Sequence, residues 1–183
     1  DLSVLAYTAN VEMAALVAQV AALGGDTLTV QNETRSFSRE ALELLLSQLL
    51  DKLAHNHTHE PSMLGTERGR LARQAVPELP EGIARLLIER LLAANTLEAH
   101  GPFVALPGHR PTLSEADEAL WQQLAPLLEA TFEPPRVRDL VTETLAEERI
   151  RDVLHACARL GRLYPVRRDH FYPAATVMEM ANI

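Results

Sequence analysis

Three times in this sequence an apolar helical stretch ends on Gly or Asn and runs straight into a short β-rich segment: Gly24-Gly25 before DTLTV, Asn95 before TLEAH and Gly161 before RLYPV. Gly and Asn are the residues that most readily take the left-handed backbone conformation that ends a helix. The Gly25 and Asn95 junctions lie 70 residues apart, the Asn95 and Gly161 junctions 66 apart. That spacing is too long for a solenoid period and suits small domains in tandem. Such a chain divides its apolar residues among several small cores, each only marginally stable by itself.

With 183 residues, 47% of them hydrophobic, there is enough apolar material for those cores. The single cysteine, Cys157, excludes an internal disulfide and fits a reducing, cytosolic setting. No apolar run reaches the roughly 20 residues of a membrane span, so no membrane partner is expected. The sequence opens on Asp1 rather than Met and stops within the apolar stretch TVMEMANI, so it is expected to be a piece of something longer. The 17 basic residues are outnumbered by 25 acidic ones, a net charge of −8. Phosphate affinity is mainly a Lys/Arg counterion effect, so this balance argues against a nonspecific nucleic-acid binder. Residues 110–183 are the less acidic part, with 9 basic against 12 acidic, a net of −3.

The first module is expected to be a C-terminal remnant over 1–37. Asn10 has the chemistry of an N-cap for VEMAALVAQVAAL, Gly24-Gly25 stop that helix, and TLTV and RSF read as a hairpin. The second module, 38–108, opens on Ser38 with Phe37 and Leu42 placed as a hydrophobic staple. Its first helix, REALELLLSQLLDKLA, has one broad leucine face. A polar segment, HNHTHEPSMLG, leads to a short helix TERGRLARQ, a third helix around LPEGIARLLIERLLAA, and a hairpin TLEAH/FVALP turning at Gly101-Pro102.

The third module, 109–174, repeats the order. Ser114 caps EADEALWQQLAPLLEA, RVRDLVTETL is expected as the second helix, and EERIRDVLHACARL is the third, with Ile150, Val153, Leu154, Cys157 and Leu160 inward. RLYPV and HFYP form a hairpin with Arg167-Arg168-Asp169 at its tip. Residues 175–183 read as the start of a linker helix. The fold class is therefore mainly α with small antiparallel β-hairpins, an α+β plan of helix, helix, helix, hairpin, which is the winged-helix arrangement in tandem. Pro107, Gly108 and Pro111 place the expected hinge between modules near residues 106–111.

Two strings, LAHNHTHEPSMLGTERGRLAR at 53–73 and FVALPGHRPTLSEADEALWQQLAPLL at 103–128, resemble the C-terminal half of the bacterial selenocysteine-specific translation elongation factor family, SelB. The positions that carry the likeness are His55 or His57, Pro61, Gly65, Gly108, His109, Leu113 and Ser114. It covers roughly residues 37–173, and the first 36 weakly. The resemblance implies a factor with an N-terminal half similar to elongation factor Tu that binds GTP, Mg and selenocysteyl-tRNA, followed by four winged-helix domains. The last of these grips an mRNA selenocysteine-insertion hairpin beside a UGA codon on the ribosome.

This chain would hold part of the first winged-helix domain and all of the second and third. No GxxxxGK[ST] phosphate loop occurs, so no cofactor and no enzymatic activity are expected here. The implied role is a cytoplasmic, monomeric spacer between the GTPase body and the RNA grip.

His55, His57 and His59 with Glu60 could suggest zinc, since imidazoles at i and i+4 of a helix can share a metal. They stand at a helix end before Pro61 without HExxH or a nearby cysteine, and helix-terminal packing is the expectation, with no metal site. His155 and Cys157 lie two apart on one helix, and Cys157 falls on the apolar stripe, so no catalytic thiol is expected. Glu147-Glu148 and Glu115/Asp117/Glu118 sit in first helical turns as charges that complement the helix dipole.

The only basic cluster interleaved with aromatics is Arg162, Arg167, Arg168 and His170 with Phe171 and Tyr172, which Arg136 and Arg138 could extend. On a wing these side chains could hold RNA phosphates or stack on an exposed base, although Asp169 lowers the local potential. Two alternatives remain. One is a tandem winged-helix DNA-binding transcription regulator, against which the mixed charges of the third helix argue, and the other is a winged-helix protein-interaction scaffold.

Overall fold

The computed structural model describes residues 2–31, 33–129 and 132–181. The three junctions behave as their residue types demand: Gly24, Asn95 and Gly161 take φ of 74°, 55° and 74° and turn each helix into the strand that follows. The chain forms two compact units. One comprises Asp1–His59 and Leu64–His109, the other Glu60–Met63 and Arg110–Ile183.

In the first unit, α1 (Leu2–Ala9) and α2 (Met13–Ala22) precede the hairpin β1 (Asp26–Val30) and β2 (Glu33–Phe37). The stretch LSVLAY is thus helical. Asn10 does not cap α2: at φ 51° it ends α1, and Glu12 occupies the N-cap position with no side-chain cap bond. A left-handed turn at Asn10 lets two short helices bury Leu2 and Leu16 while all five alanines of α2 stay outside.

Helix α3 runs from Arg39 to His59, five residues beyond the expected end at Ala54. Ser38 Oγ accepts the Ala41 amide at 3.1 Å, and Phe37 and Leu42 both pack against the core, as a staple does. The extension is explained by Asn56. Its buried side chain donates to Thr66 Oγ1 at 3.1 Å and to Gln74 Oε1 at 2.9 Å, which makes an inward position in the last turn favourable.

Residues 66–67 are not the start of a helix either. They form β3 (Thr66–Glu67), ahead of α4 (Arg68–Ala75), because Glu67 accepts the Gly69 and Arg70 amides as its N-cap. After α5 (Glu81–Ala93) come β4 (Glu98–His100) and β5 (Phe103–Ala105), and the three strands pair antiparallel in the order β3-β5-β4. Leu45, Leu49 and Leu53 of α3, Leu71 of α4, and Leu87, Ile88 and Leu91 of α5 close the core over Val104, with Leu28 and Phe37 of the first hairpin against it.

The second unit has α6 (Glu115–Glu129), a 3₁₀ turn (Val137–Leu140), α7 (Glu147–Arg159), the hairpin β6 (Leu163–Arg167) and β7 (His170–Pro173), and α8 (Ala174–Ala181). Ser114 Oγ accepts the Asp117 amide at 3.1 Å and starts α6 as predicted. Helix α6 continues through Pro126, with Leu120, Leu124 and Leu128 inward and Leu127 exposed.

The second helix expected over RVRDLVTETL is absent: only Val137–Leu140 is helical, and Thr142 and Leu145 form an isolated antiparallel bridge. Val137 and Leu140 bury at a spacing of three, which a single 3₁₀ turn satisfies, and the β-branched run Val141-Thr142 prefers extended backbone. Ile150, Val153, Leu154 and Cys157 of α7 are buried with Leu163 and Phe171 of the hairpin, while Leu160 at the helix end is only half-buried. Among the described residues no single helix is long and apolar enough to cross a membrane.

Candidate nucleic-acid interface

The wing of the second unit is an antiparallel strand pair in which β7 alternates between a buried and an outer face. Leu163 and Phe171 point inward and are fully buried, and the His155 ring meets Phe171 edge-on at 5.0 Å. His170 and Tyr172 therefore occupy the other face, paired with Arg167 and Tyr164, and the register shifts between Pro165 and Arg167. Arg167 and Arg168 are exposed at the tip.

Asp169, the acid that could cancel them, is half-buried and paired. Its carboxylate accepts from Arg151 Nη2 at 2.7 Å and its carbonyl accepts the Val137 amide at 3.0 Å, tying the tip to α7 and to the 3₁₀ turn. The Arg151 hydrogen bond holds the Asp169 carboxyl below the usual carboxylate range, and the Arg168 and Arg138 charges act in the same direction. The tip thus sets two exposed guanidinium groups beside a carboxylate already paired to Arg151.

Beside the wing runs an open groove of about 530 Å³ lined by Pro134, Pro135, Arg136, Arg167, His170 and Tyr172. Val166, Glu133 and Asp139 complete its wall. Asp139 is engaged locally: it accepts the Arg136 amide at 3.1 Å and lies 3.8 Å from the Arg138 guanidinium. Of the six residues singled out from sequence, three line this groove, Arg136, Arg167 and His170. Arg138 and Arg168 flank it around Asp169.

Arg162 stands elsewhere in the unit. Its Nη1 donates to both carboxylate oxygens of Glu118, at 3.0 and 2.9 Å, and the guanidinium lies 6.0 Å from the Trp121 ring centroid. It clamps the α7–β6 junction to α6. Sequence reasoning missed Arg151, whose spacing of four from Glu147 was the available signal, and the two prolines that shape the groove.

The outward arginines of the third helices are spent on carboxylates and main chain. On α7, Arg149 meets Asp117 at 2.6 Å, Arg151 meets Glu147 and Asp169, and Arg159 donates to the Ser62 carbonyl at 3.2 Å and to its Oγ at 2.9 Å. On α5, Arg85 meets Glu81 at 2.6 Å and Arg90 meets Asp26 at 2.5 Å. A base-reading helix needs donors that are free to reach base edges.

The three neighbouring histidines divide between two places. His55 and His59 stack with ring centroids 3.8 Å apart. His57 turns the other way, accepts the Leu106 amide on Nε2 at 3.1 Å and stacks on His109 at 3.6 Å. Among the described residues no group of three or more His, Cys, Asp or Glu is placed to hold a metal. Cys157 is buried, and that burial pushes its thiol up to about 11, which keeps it protonated.

A helix cluster whose last helix feeds a β-hairpin, built more than once along one chain, defines a tandem winged-helix protein. Residues 50–106 match the family described as "Elongation factor SelB, winged helix", and with the two relatives that follow this supports a fragment of a SelB C-terminal region. It is 34% identical over 137 residues to a selenocysteine-specific elongation factor of Escherichia coli (strain K12). Over 138 residues it is 25% identical to one of Haemophilus influenzae. Each match covers 74% of this chain and 22% of the relative, so the matched region spans about a fifth of either relative's length.

Proposed function

We propose that the chain works within a selenocysteine-specific translation elongation factor, as a winged-helix spacer. It would connect a part that binds GTP, Mg and selenocysteyl-tRNA to a domain that grips the mRNA selenocysteine-insertion hairpin, so that selenocysteine is delivered at a recoded UGA codon in the cytoplasm. The observation that carries this is the similarity to two selenocysteine-specific elongation factors over most of the chain's length. The modules of this spacer are 38–108 and 109–174. Residues 1–37 are the C-terminal part of a further winged helix, a division supported by the likeness of α1-α2-β1-β2 to α4-α5-β4-β5.

The chain itself performs no catalysis in this role. It makes a weak contact to RNA, ribosomal or messenger, through Arg136, Arg138, Arg167, Arg168 and His170, while Arg162 holds the wing to its helices. The pairing of Asp169 with Arg151 supports that contact by offsetting the acid beside the exposed Arg167 and Arg168, despite a net charge of −8.

Titration of the selenocysteine-insertion hairpin with this chain and with the complete E. coli factor tests the assignment. The chain should bind at least about 100-fold more weakly, because a few surface arginines supply only nonspecific phosphate affinity. Equal affinity would show that the grip lies in these residues and would end the spacer proposal. Ribosome cosedimentation at low salt should be lost in Arg167→Glu/Arg168→Glu.

A further inference from the structure

The groove beside the second wing has a shape and a lining that a duplex backbone does not require. Phosphates alone would need only the exposed tip, Arg167 and Arg168. Here a cavity of about 530 Å³, within the range of small-ligand sites, combines two guanidinium-bearing residues with a ring. Arg136 enters from the 3₁₀ turn and Arg167 from the wing, and Tyr172 and His170 sit side by side on the outer face of β7. Pro134 and Pro135 form a stiff wall that fixes the groove without loss of side-chain entropy.

We infer that this groove takes one unpaired nucleotide of RNA, its base against Tyr172 and its phosphate on Arg136 and Arg167. The inference rests on the RNA contact proposed above and narrows it to single-stranded rather than paired RNA. The physics separates the two: stacking on an aromatic face needs a base freed from its neighbours, whereas phosphate contacts are available from either form. The acidic groups of the wall restrict the groove further. Asp139 is already bonded to the Arg136 amide, and a second, closely spaced phosphate would meet Asp139 and Glu133. One nucleotide, not a continuous backbone track, fits that charge pattern.

The test is fluorescence anisotropy of the full chain at about 50 mM salt with a labelled ten-nucleotide uridine strand and with a ten-base-pair RNA duplex. The single strand should bind more tightly than the duplex. Tyr172→Leu, which keeps an apolar side chain at this half-buried position, should weaken the single strand about tenfold and leave the duplex unchanged, and Tyr172→Phe should restore it. Arg136→Ala and Arg167→Ala should each weaken the single strand, with circular dichroism melts confirming that every variant is folded. If duplex binds as well as single strand and Tyr172→Leu changes neither, the groove takes no base and the inference falls while the RNA contact stands. If neither RNA binds, the RNA contact itself falls and takes the inference with it.

Discussion

His57 accepts the Leu106 amide through Nε2 and lies face to face with His109, an arrangement open only to a neutral imidazole. Burial, reinforced by His109, pulls its pKa down from 6.5 to about 4. Because the folded value is below the unfolded one, the unfolded chain takes up the proton first. The stabilisation is then complete above about pH 6.5 and is lost as pH falls towards 4. Denaturant titrations should show the protein losing about 1 to 2 kcal/mol more than His57→Gln between pH 7 and pH 4.5, partial solvation reducing the full value. Parallel pH profiles would remove His57 from the account.

Gly65 is the second residue with no substitute. At φ +153° a Cβ would stand 2.3 Å from the Val104 carbonyl oxygen, in the strand pairing of β3 with β5. Gly65→Ala should cost about 2 to 4 kcal/mol in chemical denaturation, and a loss under 0.5 kcal/mol would mean that the strands separate cheaply. Neither role was legible in the sequence. The partner of His57 lies 49 residues away, and nothing local to Gly65 announces the close approach of β5.

At the scale of elements, the legible parts were those whose signals are local. The Ser38 and Ser114 caps, the leucine stripe of α3, the α7 stripe and the three left-handed junctions all form where residue chemistry places them. The misread segments are those decided by distant partners. Helix α3 is prolonged by Asn56 reaching Thr66 and Gln74, Thr66 and Glu67 are drawn into a sheet by β5, and in 136–145 the Val137 amide is taken by the Asp169 carbonyl of the wing.

The site was legible as a cluster of residue types, and its groove was not, because Pro134 and Arg136 are brought to the wing by a contact 32 residues away in sequence, the Val137–Asp169 hydrogen bond. The packing of the first hairpin on α5 gives an element-level prediction. Asp26 pairs with Arg90, and a Cβ on Gly82 would stand 2.7 Å from Val30 Cγ1. Gly→Ala inside a helix ordinarily stabilises by about 1 kcal/mol. Here Gly82→Ala should destabilise, and adding Val30→Ala should recover at least about 1 kcal/mol in a double-mutant cycle. Simple additivity, with Gly82→Ala stabilising, would mean the hairpin does not rest on α5.

At the scale of the whole molecule, the charge and the ion pairs point the same way. A net charge of −8 is combined with arginines on α5 and α7 that are bound to carboxylates of the same unit, while Arg167 and Arg168 of the second wing are exposed. That pattern is compatible with the proposed connector and its one RNA contact, and it differs from a row of duplex readers. The most direct measurement replaces the matching segment of the E. coli factor with residues of this chain and reads selenocysteine incorporation at UGA in a strain lacking its own factor. Incorporation within about tenfold of the native factor is the predicted result. Background incorporation from a chimera that is folded and still binds its mRNA hairpin would contradict the assignment of this chain as the spacer.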